Sequence, residues 1–159
     1  MLTIGLAGFL QTIVMVTALE SSNRDHAAAN AAARAVLEQL RSTTFGEVFS
    51  RFNASADDDP AGGASPGAQF DVVGLRPLPG QNFAGAIRFP ATSASPEVLR
   101  EDLVDPQLGT PLDLNADGAV TNADRSGDYR LLPVVVTVDW QSSRGQASLE
   151  IRTILGGLQ

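Results

Sequence analysis

The chain contains no cysteine and no lysine, and its single histidine is His26. Without cysteine there is no disulfide framework and no thiolate metal site, and thiol catalysis is excluded. One histidine cannot build a multi-histidine zinc site, and we expect His26 to be an exposed helix residue. The net charge of −7 argues against a nucleic-acid partner, because phosphate binding needs a basic surface. No sequence motif for a phosphate loop or a nucleophilic serine is found, so we expect neither an enzyme nor a small-molecule substrate.

Charge is also absent from the first 19 residues, MLTIGLAGFLQTIVMVTAL. A helix of this length spans roughly 28 Å, close to the hydrocarbon thickness of a bilayer. A signal peptide would carry a basic start and a small-residue cleavage site, neither of which is evident here. A buried core helix that is apolar on every side would be unusual in so small a domain. We therefore expect residues 1–20 to form a transmembrane or filament-core helix segment.

The following residues predict that the same helix continues as an amphipathic one over residues 21–52. The segment AAANAAARAVLEQLR is strongly helix-forming, and its apolar residues recur at steps of three and four. These apolar residues are Ala29, Ala33, Val36, Leu37 and Leu40, and the charged residues Arg34, Glu38 and Arg41 lie off their stripe. One face of this second half can therefore pack against another element.

The remainder of the chain, to residue 159, reads as a loop and an antiparallel sheet that complete the globular domain of residues 21–159. Residues 53–68 are small, acidic and interrupted by proline and glycine, which is typical of a loop. Strands are predicted within residues 70–155, at FDVVGL, AGAIRF and a terminal hairpin of YRLLPVVVTVDW and QASLEIRTIL with a turn of about five residues. In this hairpin Val134, Val136 and Val138 share one face, Leu149, Ile151 and Ile154 lean mostly to one side, and we expect these faces to lie under the helix stripe. PEVLREDL predicts a short helix. We expect an α+β fold in which the long N-terminal helix packs on this small sheet.

This arrangement resembles the type IV pilins and type II secretion pseudopilins, and most closely the PilV-like minor pilins called type IV pilus modification proteins. The resemblance covers LTIGLAGF with SSNRDHAAANAAARAVLEQLRSTTF, and the terminal VVVTVDWQSSRGQASLEIRTIL. It implies a structural subunit of a type IV pilus or a type II secretion-like filament. The implied partners are the bacterial inner membrane before assembly and other pilin subunits afterwards, with the globular domain in the periplasm or on an extracellular filament.

The processing signature of that family, a glycine followed by a Phe-Thr-Leu-Ile-Glu-like segment, is missing from the sequence. Met1 falls several residues inside the corresponding segment, so the start was assigned too late, the chain was trimmed, or the protein enters the membrane unprocessed. Glu20 lies too far along the helix to take the role of the family's glutamate. The alternative interpretation is a membrane-anchored, calcium-dependent binding or adhesion module that forms no filament.

A calcium site is predicted in the stretch DLNADGAVTNAD, residues 113–124. Aligned to a twelve-residue calcium loop, it places oxygen ligands at positions 1, 3, 5, 7, 9 and 12 and a glycine at position 6. These ligands are Asp113, Asn115, Asp117, the Ala119 carbonyl, Thr121 and Asp124, and Asp128 is a further candidate. The spacing resembles the dockerin-type loop, which also ends in aspartate. The flanking glycines and prolines do not predict the helices of an EF-hand, so we expect an isolated structural calcium loop; the alternative is an Asx turn without metal.

Overall fold

The computed structural model describes the backbone of residues 2–60 and 65–157, and the side chains of residues 16, 19–60 and 65–157. Within these described residues, two helices precede four strands: α1 (Leu2–Ser42), α2 (Phe45–Phe52), β1 (Gln69–Phe70), β2 (Gly85–Arg88), β3 (Leu131–Ser142) and β4 (Gly145–Gly156). The strands form one antiparallel sheet in the order β1-β2-β3-β4. The expected combination of an N-terminal helix with a small antiparallel sheet is confirmed.

Helix α1 contacts the sheet through its C-terminal half. The predicted stripe of Ala29, Ala33, Val36, Leu37 and Leu40 is buried in the core, and the charged residues between them are exposed. Nearer the N-terminus the described apolar side chains are not covered, since Val16 is 48% and Leu19 44% exposed. Across the part of the chain that the structure describes, no helix combines the length and the apolar character needed to span a membrane. Most side chains of the apolar run 1–19 lie outside the described residues.

The helix predicted to continue to residue 52 is interrupted after Ser42. At this end the Gln39 carbonyl accepts the regular helical bond from the N–H of Thr43 at 3.1 Å and further bonds from the hydroxyl groups of Ser42 and Thr43, both at 2.9 Å. Thr44 is extended, with φ −53° and ψ 122°, and the chain then re-enters a helix at Phe45. This break turns α2 so that Val48, Phe49 and Phe52 enter the core.

Strands β3 and β4 form the predicted hairpin, with twelve paired positions from Leu131↔Gly156 to Ser142↔Gly145. Val134, Val136 and Val138 lie on the core face as expected, and Leu149 and Ile151 pack against the same core. Two details of the prediction were wrong. The turn has two residues rather than five, because Gly145 adopts φ +119° and closes the hairpin directly after Arg144. Ile154 lies opposite Pro133 on the other face and is 54% exposed, since strand neighbours alternate between faces.

Pro133 lies within β3 at a position that tolerates proline. Strand β2 pairs only with Val135–Val138 of β3, so it ends before Pro133. Asp139 donates its N–H to Ala84 on the β2 side, which assigns the odd-numbered N–H groups of β3 to that side. The N–H that Pro133 lacks would therefore have had no strand partner.

Between β2 and β3 the chain runs from Phe89 to Arg130 without a helix or strand. The short helix predicted for residues 96–103 is absent, and that segment consists of a turn, a bend and irregular residues. The strand predicted for residues 70–75 is reduced to Gln69–Phe70. A connection of this length within a compact domain needs its own anchoring contacts.

Candidate metal centre

The first half of the loop 113–124 is held by its own acidic and amide side chains. The Asp113 carboxylate accepts hydrogen bonds from the N–H groups of Asp117 (3.2 Å) and Gly118 (2.8 Å). The side chains of Asn115 and Asp117 each accept from the N–H two residues further on, at 3.2 and 2.9 Å. Gly118 has φ +88°, so the sharp turn predicted at loop position 6 is present and requires glycine. These consecutive Asx turns curl the loop.

Glu101 anchors this loop from outside, and its side chain is fully buried. One carboxylate oxygen accepts from the N–H of Leu114 at 2.9 Å. The other accepts from the N–H of Thr121 at 3.0 Å and from its hydroxyl at 3.2 Å. The Glu101 main-chain carbonyl also accepts from the N–H of Leu112 at 3.2 Å. A single buried residue thus joins the two halves of the loop, at Leu114 and Thr121.

Arg125 supplies the positive charge of the cluster. Its guanidinium lies 3.2 Å from the Glu101 carboxylate, 3.1 Å from that of Asp117 and 3.3 Å from that of Asp128. It also donates to the Thr121 hydroxyl at 3.0 Å. The Arg125 side chain is only 14% exposed. Its Nε is close enough to Glu101 for an ion pair but lacks the alignment of a hydrogen bond.

The protonation equilibria of these groups reflect the same contacts. Burial raises the pKa of Glu101, but hydrogen bonds from the N–H groups of Thr121 and Leu114, together with Arg125, outweigh burial and leave this pKa below its ordinary value. The pKa of Asp117 is lowered by the Ala119 N–H, then by Asn115 and Arg125. Burial alone would lower the pKa of Arg125, but Glu101 and the other carboxylates raise it. Glu101, Asp117 and Arg125 are therefore ionised at neutral pH.

The predicted ligands fall into two groups. Asp113, Asn115 and Asp117 form the curled half of the loop, and Thr121 joins them through Arg125. Asp124, at loop position 12, instead accepts from the N–H of Leu99 (3.2 Å) and from the N–H and hydroxyl of Ser126 (both 2.9 Å). Ala119 donates its N–H to Asp117. Among the described residues, no three acidic or histidine side chains come close enough together to hold a metal ion in this conformation.

Asp128 does lie at the cluster, where it accepts from Asn115 Nδ2 at 3.0 Å and pairs with Arg125. Two contributors were missed from sequence: Glu101 lies 12 residues before the loop, and Arg125 follows directly after it. A weak signal exists for Arg125, since it is the first basic residue beyond a loop whose own charges are all acidic. Nothing in the sequence around Glu101 distinguishes it from the partly exposed acids nearby, such as Glu97 and Asp102.

The donor set partly fits calcium. Carboxylate, amide and hydroxyl oxygens are its preferred ligands, and Asn115, Asp117, Thr121 and Asp128 are linked within one hydrogen-bond network. Asp124 does not join them here. The positive charge that calcium would bring is supplied by Arg125. Binding of a cation among these oxygens would therefore compete with the guanidinium.

His26, the remaining side chain with catalytic potential, is exposed as expected. Its ring packs edge-on against Trp140, with 5.0 Å between centroids.

A scan against protein-family models, a search of curated proteins and a search of solved structures found no match for this chain.

Proposed function

We propose that this protein is a structural, minor-pilin-like subunit of a type IV pilus or type II secretion-like filament, without catalytic activity. The observation that carries the proposal is the division of α1. Its C-terminal half, from Ala29 to Leu40, is buried on the sheet of its own chain, whereas Val16 and Leu19 are exposed. Exposed apolar side chains on a helix are stabilised by a membrane or by other helices.

The length of α1 agrees with this role. The uncharged part of the helix, residues 2–19, has 18 residues, about 27 Å at 1.5 Å per residue. A bilayer core is about 30 Å thick. We propose that this segment lies in the bacterial inner membrane before assembly and among the helices of other subunits in the filament. The globular domain then faces the periplasm or the outside of the filament.

The membrane part of the proposal is tested by fractionation of the full chain. Ile13→Arg places a charge in the middle of the apolar run, at a cost of about 2.5–3.5 kcal/mol on insertion scales, and should release the protein from the membrane fraction. Asn23→Arg is the matched control, because Asn23 is an exposed residue of the same helix outside that run. Equal membrane retention of both variants and the parent would refute the membrane assignment.

Incorporation into filaments separates a subunit from a tethered binding module. Filaments sheared from cells and purified without detergent should contain the chain if it is a subunit, and Ile13→Arg should be absent from them. A protein that is found only as a detergent-extracted monomer, with filaments free of it, would instead favour the membrane-anchored module. In the first outcome α1 packs against the helices of other subunits, and in the second it contacts only the membrane.

We further propose that the loop 113–124 binds one structural calcium ion. In the present conformation, the side chains of Asn115, Asp117 and Thr121 lie in one network with Arg125, which Asn115 joins by donating from its amide nitrogen to Asp117, and Asp113 curls the loop. These residues would hold the ion, with the Ala119 carbonyl and Asp124 as the remaining ligands of the loop pattern. Bound calcium would supply double positive charge and so reduce the repulsion between carboxylates.

Thermal unfolding tests the calcium proposal. Sites of the extracellular type bind at about 10⁻⁴ to 10⁻³ M, and calcium at about 100 times the dissociation constant would stabilise the fold by about 2.7 kcal/mol. Calcium should raise the midpoint and magnesium much less. Asp113→Ala with Asp117→Ala should remove the effect. The control pair, Asp57→Ala with Asp59→Ala, removes the same charge from another acidic segment. It should leave the calcium-dependent rise of the midpoint unchanged.

Competition with Arg125 provides an independent check. If a cation and the guanidinium use the same oxygens, Arg125→Gln should bind calcium more tightly than the parent while melting at a lower temperature in chelator. Calorimetric titration measures the affinity directly. A parent chain that shows no heat and no midpoint shift with calcium would leave Arg125 as the only cation of this loop.

A further inference from the structure

Strand β4 offers an unpaired edge that runs the full length of the sheet. Its twelve residues, Gly145–Gly156, pair with β3 on one side. Among the described residues, no strand or isolated bridge pairs with its other side. The opposite edge of the sheet is different, because β1 has only two residues. Short strands, prolines and bulges commonly protect sheet edges, and β4 has none of them.

The groups that face the open edge follow from the hydrogen-bond pattern. Asp139 and Gln141 of β3 donate their N–H groups away from β4, to Ala84 and Arg76. The even-numbered residues of β3 therefore bond to β4, and their partners in β4 carry odd numbers, as in Val136↔Ile151. The even-numbered residues of β4 consequently direct their N–H and C=O groups at the open edge. These residues are Gln146, Ser148, Glu150, Arg152, Ile154 and Gly156.

We propose that a second copy of this chain pairs with this edge, β4 against β4, antiparallel and centred on Ile151. In that register Glu150 lies opposite Arg152 of the second copy, and Arg152 lies opposite the second copy's Glu150. The symmetry doubles the charge pairing, since both ion pairs occur in one interface. Eleven residues, 146–156, overlap in this alignment.

Charge selects this register over its neighbours. The hydrogen-bonded positions must match between the two edges, so alternative alignments move the centre by one residue, to Glu150 or to Arg152. The first alternative places Glu150 opposite its own copy and the second places Arg152 opposite its own copy. Like charges directly opposite each other across strands are destabilising, and opposite charges are favourable. Only the alignment centred on Ile151 places opposite charges face to face.

Both charged side chains can serve this contact. Arg152 is 56% exposed and Glu150 23% exposed, and they contact one another along the strand. Gln107 donates to the second oxygen of Glu150 at 2.9 Å and leaves the first to Arg152. On the core face, Leu149 and Ile151 are only half-buried in the single chain, and the second copy would cover them. The pairing needs neither calcium nor the membrane segment.

Complementary charge reversal tests the proposal on the full chain, in a large excess of detergent micelles, by energy transfer between two differently labelled samples. Glu150→Arg and Arg152→Glu should each weaken self-association about tenfold or more, because each creates two like-charge pairs. An equimolar mixture of the two variants should associate again, since every cross-strand pair is then Arg with Glu. Single variants that associate as the parent does, or a mixture that stays monomeric, would overturn the proposal.

Disulfide trapping gives a second readout, because the chain has no cysteine of its own. Ile151→Cys lies on the axis at a non-hydrogen-bonded pair, where Cα atoms are about 4.5 Å apart, within disulfide range. It should cross-link rapidly under mild oxidation, and the added Glu150→Arg should slow this reaction. Arg144→Cys in the hairpin turn is the exposed control and should react slowly. Equal rates at residues 151 and 144 would show random collision and refute the register.

Discussion

Replacement of Glu101 by glutamine is the sharpest test of how the long connection between β2 and β3 is held. The change keeps the size of the side chain but removes its charge. One of its two oxygens becomes an NH₂ group that faces either the N–H of Leu114 or the N–H of Thr121, so donors oppose one another. Arg125 also loses its buried counter-charge.

The expected cost is about 3–5 kcal/mol, the range for removing one partner from a buried ion pair. For a chain of 159 residues this corresponds to a fall of about 6–20 °C in the melting midpoint. The assay is thermal unfolding of the full chain in detergent, followed by near-ultraviolet circular dichroism. Asp102→Asn is the matched control, because Asp102 is the neighbouring acid and pairs only with Arg100 at the surface. Equal midpoints for the two variants would refute the assignment of Glu101 as the anchor.

The same variant predicts a pH dependence. The pKa of Glu101 in the folded state lies below its ordinary value of 4.5, so the folded state favours the ionised form. Its stabilising contribution is complete above about pH 4.5 and is lost as the pH falls through the folded-state pKa. The difference in unfolding free energy between the parent and Glu101→Gln should therefore be constant near neutral pH and shrink in acid. A difference that grows on acidification would contradict this sign.

Three further predictions concern other parts of the fold. Val136→Asp should unfold the domain, because it buries an unpaired charge in the core, whereas Ile154→Asp on the exposed outer face should melt close to the parent. Tyr129→Phe should cost about 1–3 kcal/mol and leave β3 intact, since the Tyr129 hydroxyl donates to the Phe45 carbonyl at 2.5 Å and accepts from an α2 N–H; an unchanged midpoint would contradict it. Arg125→Gln should lower the melting midpoint in chelator, and added calcium should reduce this difference between the variant and the parent. A difference that calcium does not change would show that calcium does not take the place of the guanidinium.

Periodicity was sufficient to place the main packing faces. The stripe of α1 and the alternation of β3 could be predicted because each core position holds an apolar residue at the spacing of its element, as at Ala33, Leu37, Val134 and Val136. Local chemistry was harder to anticipate. At the end of α1 two hydroxyl groups bond the Gln39 carbonyl, and serine and threonine occur inside many helices without ending them.

The candidate metal centre was only partly predictable for a related reason. The turn-forming residues Asp113, Asn115 and Gly118 act within six residues of each other, so their spacing carries the information. Glu101 acts on backbone groups 13 and 20 residues away, and no local pattern marks it. The position of Asp124 depends equally on the distant N–H of Leu99, which sequence spacing cannot reveal.

The carboxylate of Glu101 holds both halves of the loop 113–124, and this affects how the connection between β2 and β3 opens locally. The amide protons of Leu114 and Thr121 are both donated to Glu101, so when this side chain leaves its site both amides become accessible to solvent together. Hydrogen exchange should therefore report the connection as one cooperative unit, with similar opening free energies at these two amides. The amides of β3 that bond to β4 belong to the hairpin and should exchange only through a larger opening. The connection can thus fluctuate as a block while the sheet beneath it stays closed.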